Sequence, residues 1–305
     1  MNNIIKLHQK PTMEPVPSNI ESLLNNGNLA IAAQEAQQRT DIFFPVRQQP
    51  LTELTGIADK QLSAIVREDT NEVLAVHGKR YNLIKNELVY EGIDTLIRNT
   101  AALDTNGMEI QDKVAYAGGR TIRSYVFPEH EVRIGDNDVT QLKINVINSY
   151  DGSSNLRICM GGFRIVCANG MVVGETFGDF ASRHTGTFSP LEVAPRIAAS
   201  LTNFLQVGES WQHWAKTECT DAKAAAVIAK LAGKSVNLTA DLTLFWQAEK
   251  IKMGSTVWAL YNAMTYWSTH YGIKEANKDN KSAIVQSREV RVAGVIRSDL
   301  FLEAA

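Results

Sequence analysis

Positively charged side chains are concentrated in one stretch of predicted strands, between residues 113 and 164. Seven of them occur there: Lys113, Arg120, Arg123, Arg133, Lys143, Arg157 and Arg164. Four of the five acidic residues in this stretch lie in one connection and the fifth lies in a turn, so the strands carry almost only basic charges. Basic side chains follow the backbone of a single nucleic-acid strand, and a neighbouring ring stacks on a base. The pattern therefore predicts a surface for single-stranded DNA.

Six residues make up this predicted nucleic-acid surface. They are Arg120, Arg123, Tyr125, Lys143, Arg157 and Arg164. Arg123 and Tyr125 share one face of a strand because side chains alternate along a strand, and Lys143 and Arg157 lie on adjoining strands. We expect the basic residues to contact phosphates and Tyr125 to stack on a base. A solvated sheet face of mixed Arg, Lys and Asn remains the alternative interpretation of the same pattern.

Residues for zinc binding or covalent catalysis do not occur at recognisable spacings. Cys159 and Cys167 have no Cys-x-x-Cys or His-x-His pair beside them, so the spacing of zinc ligands is missing. No serine or cysteine has a base at a spacing typical of a nucleophile motif. We therefore predict no cofactor, no metal and no catalytic residue, and a binding protein rather than an enzyme.

Two short motifs suggest other chemistry. Gly233-Lys234-Ser235 matches the last three residues of a phosphate-binding loop, but Ile228 stands where that loop needs its first glycine. We therefore expect a helix to end at Gly233. Glu175 and Asp179 follow a predicted strand, where two carboxylates could hold Mg²⁺. A metal-dependent enzyme is therefore the weakest of three hypotheses.

The composition limits the class of protein. The 305 residues are 44% hydrophobic, with 31 basic and 33 acidic residues, a balance that argues against coating of duplex DNA but not against a local basic groove. Three cysteines, an odd number, fit a reducing compartment. The sequence shows neither a signal peptide nor an apolar run of membrane-spanning length. We expect a cytoplasmic protein without a membrane partner.

The predicted elements place the basic residues on an antiparallel sheet. Three stretches alternate apolar and polar residues: "KVAYAGGRTIRSYVFP", "VTQLKINVINSY" and "SNLRICMGGFRIVC". Asp151-Gly152 lies between the last two and predicts a hairpin turn, because glycine tolerates the positive φ that such turns need. Gly161 and Gly162 predict either a bulge or a close backbone approach in the returning strand.

The remainder of the chain divides into three predicted parts. Residues 1–40 read as an N-terminal arm, residues 41–190 as an α+β sheet domain, and residues 191–305 as a helical region packed on that domain. "SPLE" before Val193 is typical of a helix start. The charged stretch "IKEANKDNKSAIVQSRE" predicts a solvated loop. The predicted fold is thus α+β, with a curved antiparallel sheet packed on helices and a mostly helical C-terminal half.

Several of these motifs together resemble a family of phage- and plasmid-encoded proteins classed as a domain of unknown function. They are "GKRYNLIKNEL", "GGRTIRSYVF", "NVINSYDGSSNLRICMGGFRIVCANGM" and "WALYNAMTYW", and the resemblance covers about residues 73 to 300. It implies a mobile element or virus in the bacterial cytoplasm and transfers no catalytic residue. The order of elements is also similar to that of Rad52-like single-strand annealing proteins, which assemble around a basic groove; such a likeness of fold alone does not establish function.

Besides the metal-dependent enzyme, two functional hypotheses follow from the sequence. The first is a DNA-metabolism protein of a phage or plasmid that binds single-stranded DNA, and anneals strands without covalent chemistry, as a homo-oligomer. The alternative is a host-takeover or regulatory protein that binds a bacterial protein through an exposed apolar patch on the tryptophan-rich C-terminal half. Affinity for an oligonucleotide distinguishes the two.

Overall fold

Two antiparallel sheets and a set of helices make up the described part of the chain, so the predicted α+β class is confirmed. The computed structural model describes residues 42–55, 61–134, 138–164, 169–171, 180–272 and 275–305. The predicted arm at residues 1–40 lies outside these ranges, as do Cys167, Glu175 and Asp179. The arm and the magnesium hypothesis therefore stay predictions.

The smaller sheet precedes the basic strands. Its antiparallel strands are β1 (Val46–Pro50), β2 (Leu62–Arg67) and β3 (Glu72–Gly78), in that spatial order, and the one-turn helix α1 (Leu51–Thr55) follows β1. Phe44, Val46 and Ile65 form a small core with Tyr150, a residue of the larger sheet. The smaller sheet is thus anchored to one end of the larger one.

The larger, central sheet contains the basic strands. Its strands are β4 (Glu109–Ala115), β5 (Arg120–Arg133), β6 (Val139–Ser149), β7 (Leu156–Arg164), β8 (Asn169–Met171) and β9 (Phe180–Ser182). The first five are neighbours in chain order, and β9 pairs with the first residues of β7. The hairpin predicted at Asp151-Gly152 is confirmed, because β6 and β7 pair antiparallel across it and Gly152 has a φ of 73°.

The register across the central sheet is regular where a bulge was expected. Lys143 faces Gly161 and Leu142 faces Gly162 without a shift, so the two glycines do not form a bulge, and the alternative of a close backbone approach stays a prediction. The register shifts instead between Phe127 and Glu131 of β5, where the strand passes through Pro128. Proline has no N–H to donate to a neighbouring strand, which accounts for the interruption there.

The central sheet has two chemically different faces. The core face carries Tyr125, Phe127, Leu142, Ile144 and Val146, which join the main hydrophobic core. The outer face carries the residues in between, among them Arg120, Ser124, Lys143, Asn145 and Arg157. Since side chains alternate along each strand and paired residues share a face, the register of the strands fixes this division.

Helices pack on the central sheet and form most of the C-terminal half. They are α2 (Asn86–Asn99), α3 (Ala194–Trp214), α4 (Asp221–Ala232), α5 (Val236–Met253), α6 (Val257–His270), α7 (Lys281–Ile296) and α8 (Asp299–Leu302). Gly233 ends α4 with a φ of 62° and Ser235 caps α5 through its side chain, so the predicted helix end at Gly233 is confirmed.

The C-terminal charged stretch differs from its prediction. It was expected to be a loop, but the structure forms α7 from Lys281 to Ile296, with Ala283, Val292 and Ile296 buried. α7 packs on β4 and on α6, so it lies between the central sheet and the helical half. A helix with polar groups on both sides has a weak apolar pattern, which explains the wrong prediction.

The described helices contain no segment that could span a membrane, by length and hydropathy together.

Candidate functional site

The outer face of the central sheet carries an excess of positive charge. Between the row at Arg120 and the row at Val126, the strands place four cations on this face: Lys113, Arg120, Lys143 and Arg157. Glu109 is the one carboxylate that the described strands add there. The outer face therefore attracts anions.

Lys143 lies near the middle of the outer face. It is half-buried, and its ammonium group lies 5.8 Å from the centre of the Phe163 ring on β7. Burial lowers the pKa of Lys143, while the charge of Glu289 on α7 acts to raise it. Burial likewise raises the pKa of the Glu289 carboxyl, and the nearby lysines oppose that shift. The lysine and the glutamate thus approach each other from the sheet and from α7.

Ser124 and Asn145 occupy the row next to Lys143. The hydroxyl of Ser124 donates to the Asn145 side-chain oxygen at 2.7 Å, and Cys159 faces Asn145 from β7. Asn145 and Cys159 are half-buried, whereas Ser124 is buried. These neutral polar groups lie between the cations and offer hydrogen bonds without adding charge.

Arg120 ties the end of the outer face to the hairpin and to α7. Its guanidinium donates to the Ser153 carbonyl oxygen at 2.7 Å and to the Ser153 hydroxyl at 3.1 Å. A third N–H donates to the side-chain oxygen of Gln286 on α7 at 2.8 Å. Arg120 is buried, and all three acceptors are neutral, so its positive charge is not cancelled by an ion pair within the described residues.

The hairpin after β6 is held in shape by its own aspartate. One carboxylate oxygen of Asp151 accepts from the Ser149 hydroxyl at 2.7 Å and from the Ser153 amide at 2.8 Å. The amides of Tyr150 and Asp151 donate to the carbonyl oxygen of Gly119. A Cβ on Gly119 would come within 2.7 Å of the Asp151 carboxylate, so glycine is required for this close approach.

Arg123 lies on the opposite, core face, in an internal ion pair. Its guanidinium donates to both carboxylate oxygens of Asp112, at 2.7 and 2.6 Å, and lies 3.6 Å from Asp94 of α2. The Arg123 side chain is 1% exposed, and its guanidinium carbon lies 5.0 Å from the centre of the Phe43 ring and 5.5 Å from that of the Tyr90 ring. Burial acts to lower the pKa of Arg123, but the Asp112 carboxylate raises it above the ordinary value. This bidentate pair is structural.

The six predicted residues do not form one surface. Arg120, Lys143 and Arg157 lie on the outer face, whereas Arg123 and Tyr125 lie on the core face, where Tyr125 is 0% exposed. Arg123 and Tyr125 are therefore unavailable to a polynucleotide in this fold, which corrects their expected role. Arg164 ends β7, and its side chain lies outside the description.

Four residues of this region were missed as site residues. Lys113 and Phe163 join the outer face from β4 and β7, and Gln286 and Glu289 reach it from α7. Alternation along β7 could have identified Phe163, because it lies six residues after Arg157 and so shares its face, whereas Lys113 is placed there only by the pairing of β4 with β5. No sequence signal indicated the second pair, since the segment that became α7 was expected to be a loop.

A stack of three rings joins the smaller sheet to the central one. The centres of the His77 and Tyr81 rings lie 3.8 Å apart, and the two rings are nearly parallel. The His184 ring is also nearly parallel to Tyr81, with the ring centres 5.3 Å apart. His77 bonds the Tyr150 carbonyl oxygen through Nε2 at 2.6 Å. Burial and, secondarily, the charge of His77 lower the pKa of His184 to about 4. The ring stack is a contact between the two sheets, next to the hairpin, and is not part of the outer face.

No group of three or more His, Cys, Asp or Glu side chains within the described ranges is arranged to hold a metal ion.

Comparisons with known proteins assign a family but no activity. The family model described as "Domain of unknown function (DUF932)" matches residues 73–291, which is more than half of the chain, so the chain belongs to that family. It is 46% identical over 44 residues to the UPF0380 proteins YfjQ and YafZ of Escherichia coli (strain K12). These matches span 14% of this chain and only 16% of each relative. No solved structure matches the chain.

Proposed function

We propose that this DUF932 protein binds single-stranded nucleic acid on the outer face of its central sheet. The observation that carries the proposal is the charge of that face, where four strand cations face two carboxylates, Glu109 from the strands and Glu289 from α7. A single strand needs cations along its backbone and rings for its bases. Phe163, beside Lys143, takes the stacking role that the sequence analysis gave to Tyr125.

In this proposal the core face of the sheet has a structural role and the outer face has the binding role. The buried Arg123–Asp112 pair holds β4 to β5 beneath the helices, and the outer cations contact phosphates. Lys113 is exposed and Lys143 and Arg157 are half-buried, so a strand would lie along the sheet beside α7. Gln286 and Glu289 on α7 would form the rim of that path.

We further propose a biological setting from the resemblances. The phage- and plasmid-encoded proteins suggest DNA metabolism of a mobile element in the bacterial cytoplasm. The likeness to Rad52-like annealing proteins suggests that a homo-oligomer holds a strand extended while a complementary strand pairs. No covalent step is involved, and no residue is assigned a catalytic role.

A charge-reversal experiment tests the proposal. Fluorescence anisotropy with a labelled single-stranded oligonucleotide is measured for the natural protein, for Lys113→Glu and for Lys143→Gln. Each lost phosphate contact lowers the slope of log affinity against log salt by about 0.7, and the affinity falls about five- to tenfold. Lys223→Glu on α4 is the matched control because Lys223 is exposed, and the substitution changes the net charge by the same amount as Lys113→Glu. We expect this control to bind like the natural protein.

Two outcomes would contradict the proposal. One is the absence of salt-sensitive binding at micromolar protein concentration. The other is an equal loss of affinity in Lys113→Glu and Lys223→Glu, which would indicate binding by net charge alone.

The second candidate function is binding of a host protein. The expected exposed patch does not consist of tryptophans, because Trp211, Trp246, Trp258 and Trp267 are buried. Exposed aliphatic residues occur instead on α5, where Leu244 and Ile251 face solvent. Failure of oligonucleotide binding together with specific capture of one host protein by the natural chain, lost in Ile251→Glu, would favour this second function.

A further inference from the structure

The turn between β4 and β5 holds a tyrosine in a strained backbone conformation. Tyr116 and Ala117 both have a φ of 53°, in the left-handed region where a Cβ atom crowds the backbone. Asn71, the other non-glycine residue with a positive φ in the described ranges, is of a type that tolerates this region. A tyrosine at position 116 therefore costs conformational energy that a glycine would not.

Hydrogen bonds to its backbone hold the strained turn in place. The Tyr116 amide donates to the side-chain oxygen of Asn280, just before α7, at 2.7 Å, and the Gly119 amide donates to the Tyr116 carbonyl oxygen at 2.8 Å. Arg67 of β2 donates to the Ala117 carbonyl oxygen at 3.0 Å. Because these bonds use the backbone atoms of the turn, they would hold a glycine at position 116 in the same way.

The Tyr116 side chain does not serve the packing of the fold. It is 43% exposed and belongs to neither hydrophobic core of the described residues. Its ring lies beside Arg120, whose guanidinium carbon is 5.5 Å from the ring centre. Neither the core nor the turn thus requires a tyrosine here, and a strained residue of this kind indicates a role at the surface.

Tyr116 lies at the hairpin end of the outer face, and Phe163 lies toward the other end. Arg120, beside which the Tyr116 ring lies, pairs with Ser149 of β6. Phe163 pairs with Gln141 of the same strand. These two rows are eight residues apart along β6, which corresponds to about 27 Å at about 3.4 Å per residue.

Three cations of the outer face lie between the two rings. Lys143 follows the Phe163 row by two residues, and Lys113 and Arg157 share the row of Ile147, two residues before the row of Arg120. The outer face therefore has an aromatic ring toward each end and positive charge between them. Rings for bases and cations for the backbone are what a single strand needs.

We propose that Tyr116 is a second base-stacking residue, at the hairpin end of the outer face, and that it makes this face select single-stranded over double-stranded nucleic acid. Its exposed ring can stack on an unpaired base, whereas the bases of a duplex stack on their neighbours and present only their edges. The cations contact the phosphates of either form. This inference rests on the proposed function and adds to it a preference for unpaired strands.

Fluorescence anisotropy with a single-stranded oligonucleotide and with a duplex of the same length tests the role of the ring. Tyr116→Ala should lower the affinity for the single strand about tenfold and leave the affinity for the duplex unchanged. The salt slope of single-strand binding should stay the same, because no phosphate contact is lost. Tyr116→Phe keeps the ring and should recover the affinity that Tyr116→Ala loses.

Tyr266→Ala is the matched control for the loss of a tyrosine ring. Tyr266 is 37% exposed and lies on α6 rather than on the sheet. The control should bind the single strand and the duplex like the natural protein.

Urea unfolding separates a binding role of Tyr116 from a structural one. Tyr116→Gly relieves the left-handed strain, so its unfolding midpoint should equal or exceed that of the natural protein. Its affinity for the single strand should nevertheless fall as in Tyr116→Ala. A tyrosine that serves the fold would give the opposite pattern, with a lower midpoint and the natural affinity.

Three results would overturn the inference. If Lys113→Glu weakens binding as proposed but Tyr116→Ala binds like the natural protein, the outer face binds without Tyr116 and the proposed function stands. Equal losses for the single strand and the duplex in Tyr116→Ala would show that the ring does not select unpaired bases. Absence of binding by the natural protein would remove the proposed function and this inference together.

Discussion

The positively charged side chains on the two faces of the central sheet have different kinds of partner. On the core face, Arg123 is enclosed with Asp112 and Asp94 and its charge is compensated within the protein. On the outer face, Arg120 donates to neutral oxygens, and burial lowers the pKa of Lys143. Arg123 thus serves structure on the core face and the buried Arg120 serves it at the hairpin, whereas Lys113 is exposed and Lys143 and Arg157 are half-buried on the outer face.

This contrast shows that the partners of a basic residue decide its role. A buried cation without an acid is unfavourable, so Arg123 needs Asp112 for the protein to fold. A cation at a half-open surface keeps part of its hydration and attracts mobile anions instead. Side-chain contacts, rather than the count of arginines, therefore identify the candidate site.

The largest effect should follow from breaking the core-face pair. Asp112→Asn leaves the buried Arg123 charge without its bidentate partner and should lower the free energy of unfolding by about 3–5 kcal/mol. Glu131→Gln is the control, since the Glu131–Arg133 pair is largely exposed and should contribute less than about 1 kcal/mol. Urea unfolding of both variants measures the difference. Equal effects would remove the distinction between the faces.

A smaller effect should appear on acidification, through a buried base without a carboxylate partner. The pKa of His184 is lowered to about 4, so between about pH 6.5 and 4 the unfolded chain binds a proton that the folded protein does not. His184 therefore does not lower the free energy of unfolding above about pH 6.5. As the pH drops toward 4, the free energy of unfolding falls by about 2–3 kcal/mol.

Urea unfolding at several pH values checks this expectation. His184→Phe retains a ring in the stack with Tyr81 and should show a shallower loss of stability with acid than the natural protein. His130, whose pKa burial also lowers, should account for part of the slope that remains. An unchanged slope in His184→Phe would show that the ring stack does not respond to pH.

The smallest effect on stability should come from the outer face. Lys143→Met retains the length of the side chain and its packing, and it removes a charge that burial disfavours, while Lys113 remains as a cation near Glu289. The free energy of unfolding should change by less than about 1 kcal/mol. Oligonucleotide affinity should nevertheless fall as in Lys143→Gln. A large loss of stability would instead make Lys143 a structural residue like Arg123.

The sequence was sufficient for part of the local structure and for part of the site. Alternation correctly predicted that Arg123 and Tyr125 share one face of a strand and that Lys143 and Leu142 point to opposite faces. The turn at Asp151-Gly152 was also predicted correctly. The sequence could not relate one strand to the next, because a slip of one residue in register moves every side chain to the other face. Arg123 and Lys143 were therefore grouped although they lie on opposite faces.

Long-range packing accounts for the remaining errors. α7 crosses the sheet and brings Gln286 and Glu289 to residues more than a hundred positions earlier. Its buried positions face both polar and apolar neighbours, so the segment lacks a clear amphipathic pattern. The Asp112 partner of Arg123 was likewise outside the analysed basic stretch, although the two residues pair directly across β4 and β5.

Ultraviolet cross-linking of a photoreactive single-stranded oligonucleotide, mapped by mass spectrometry, would locate the proposed binding site. We expect cross-links on the outer face, in peptides of β6 and β7 and at Phe163 in particular, and their loss at high salt. Cross-links confined to α4 and α5, or none above background at low salt, would contradict a nucleic-acid site on the central sheet.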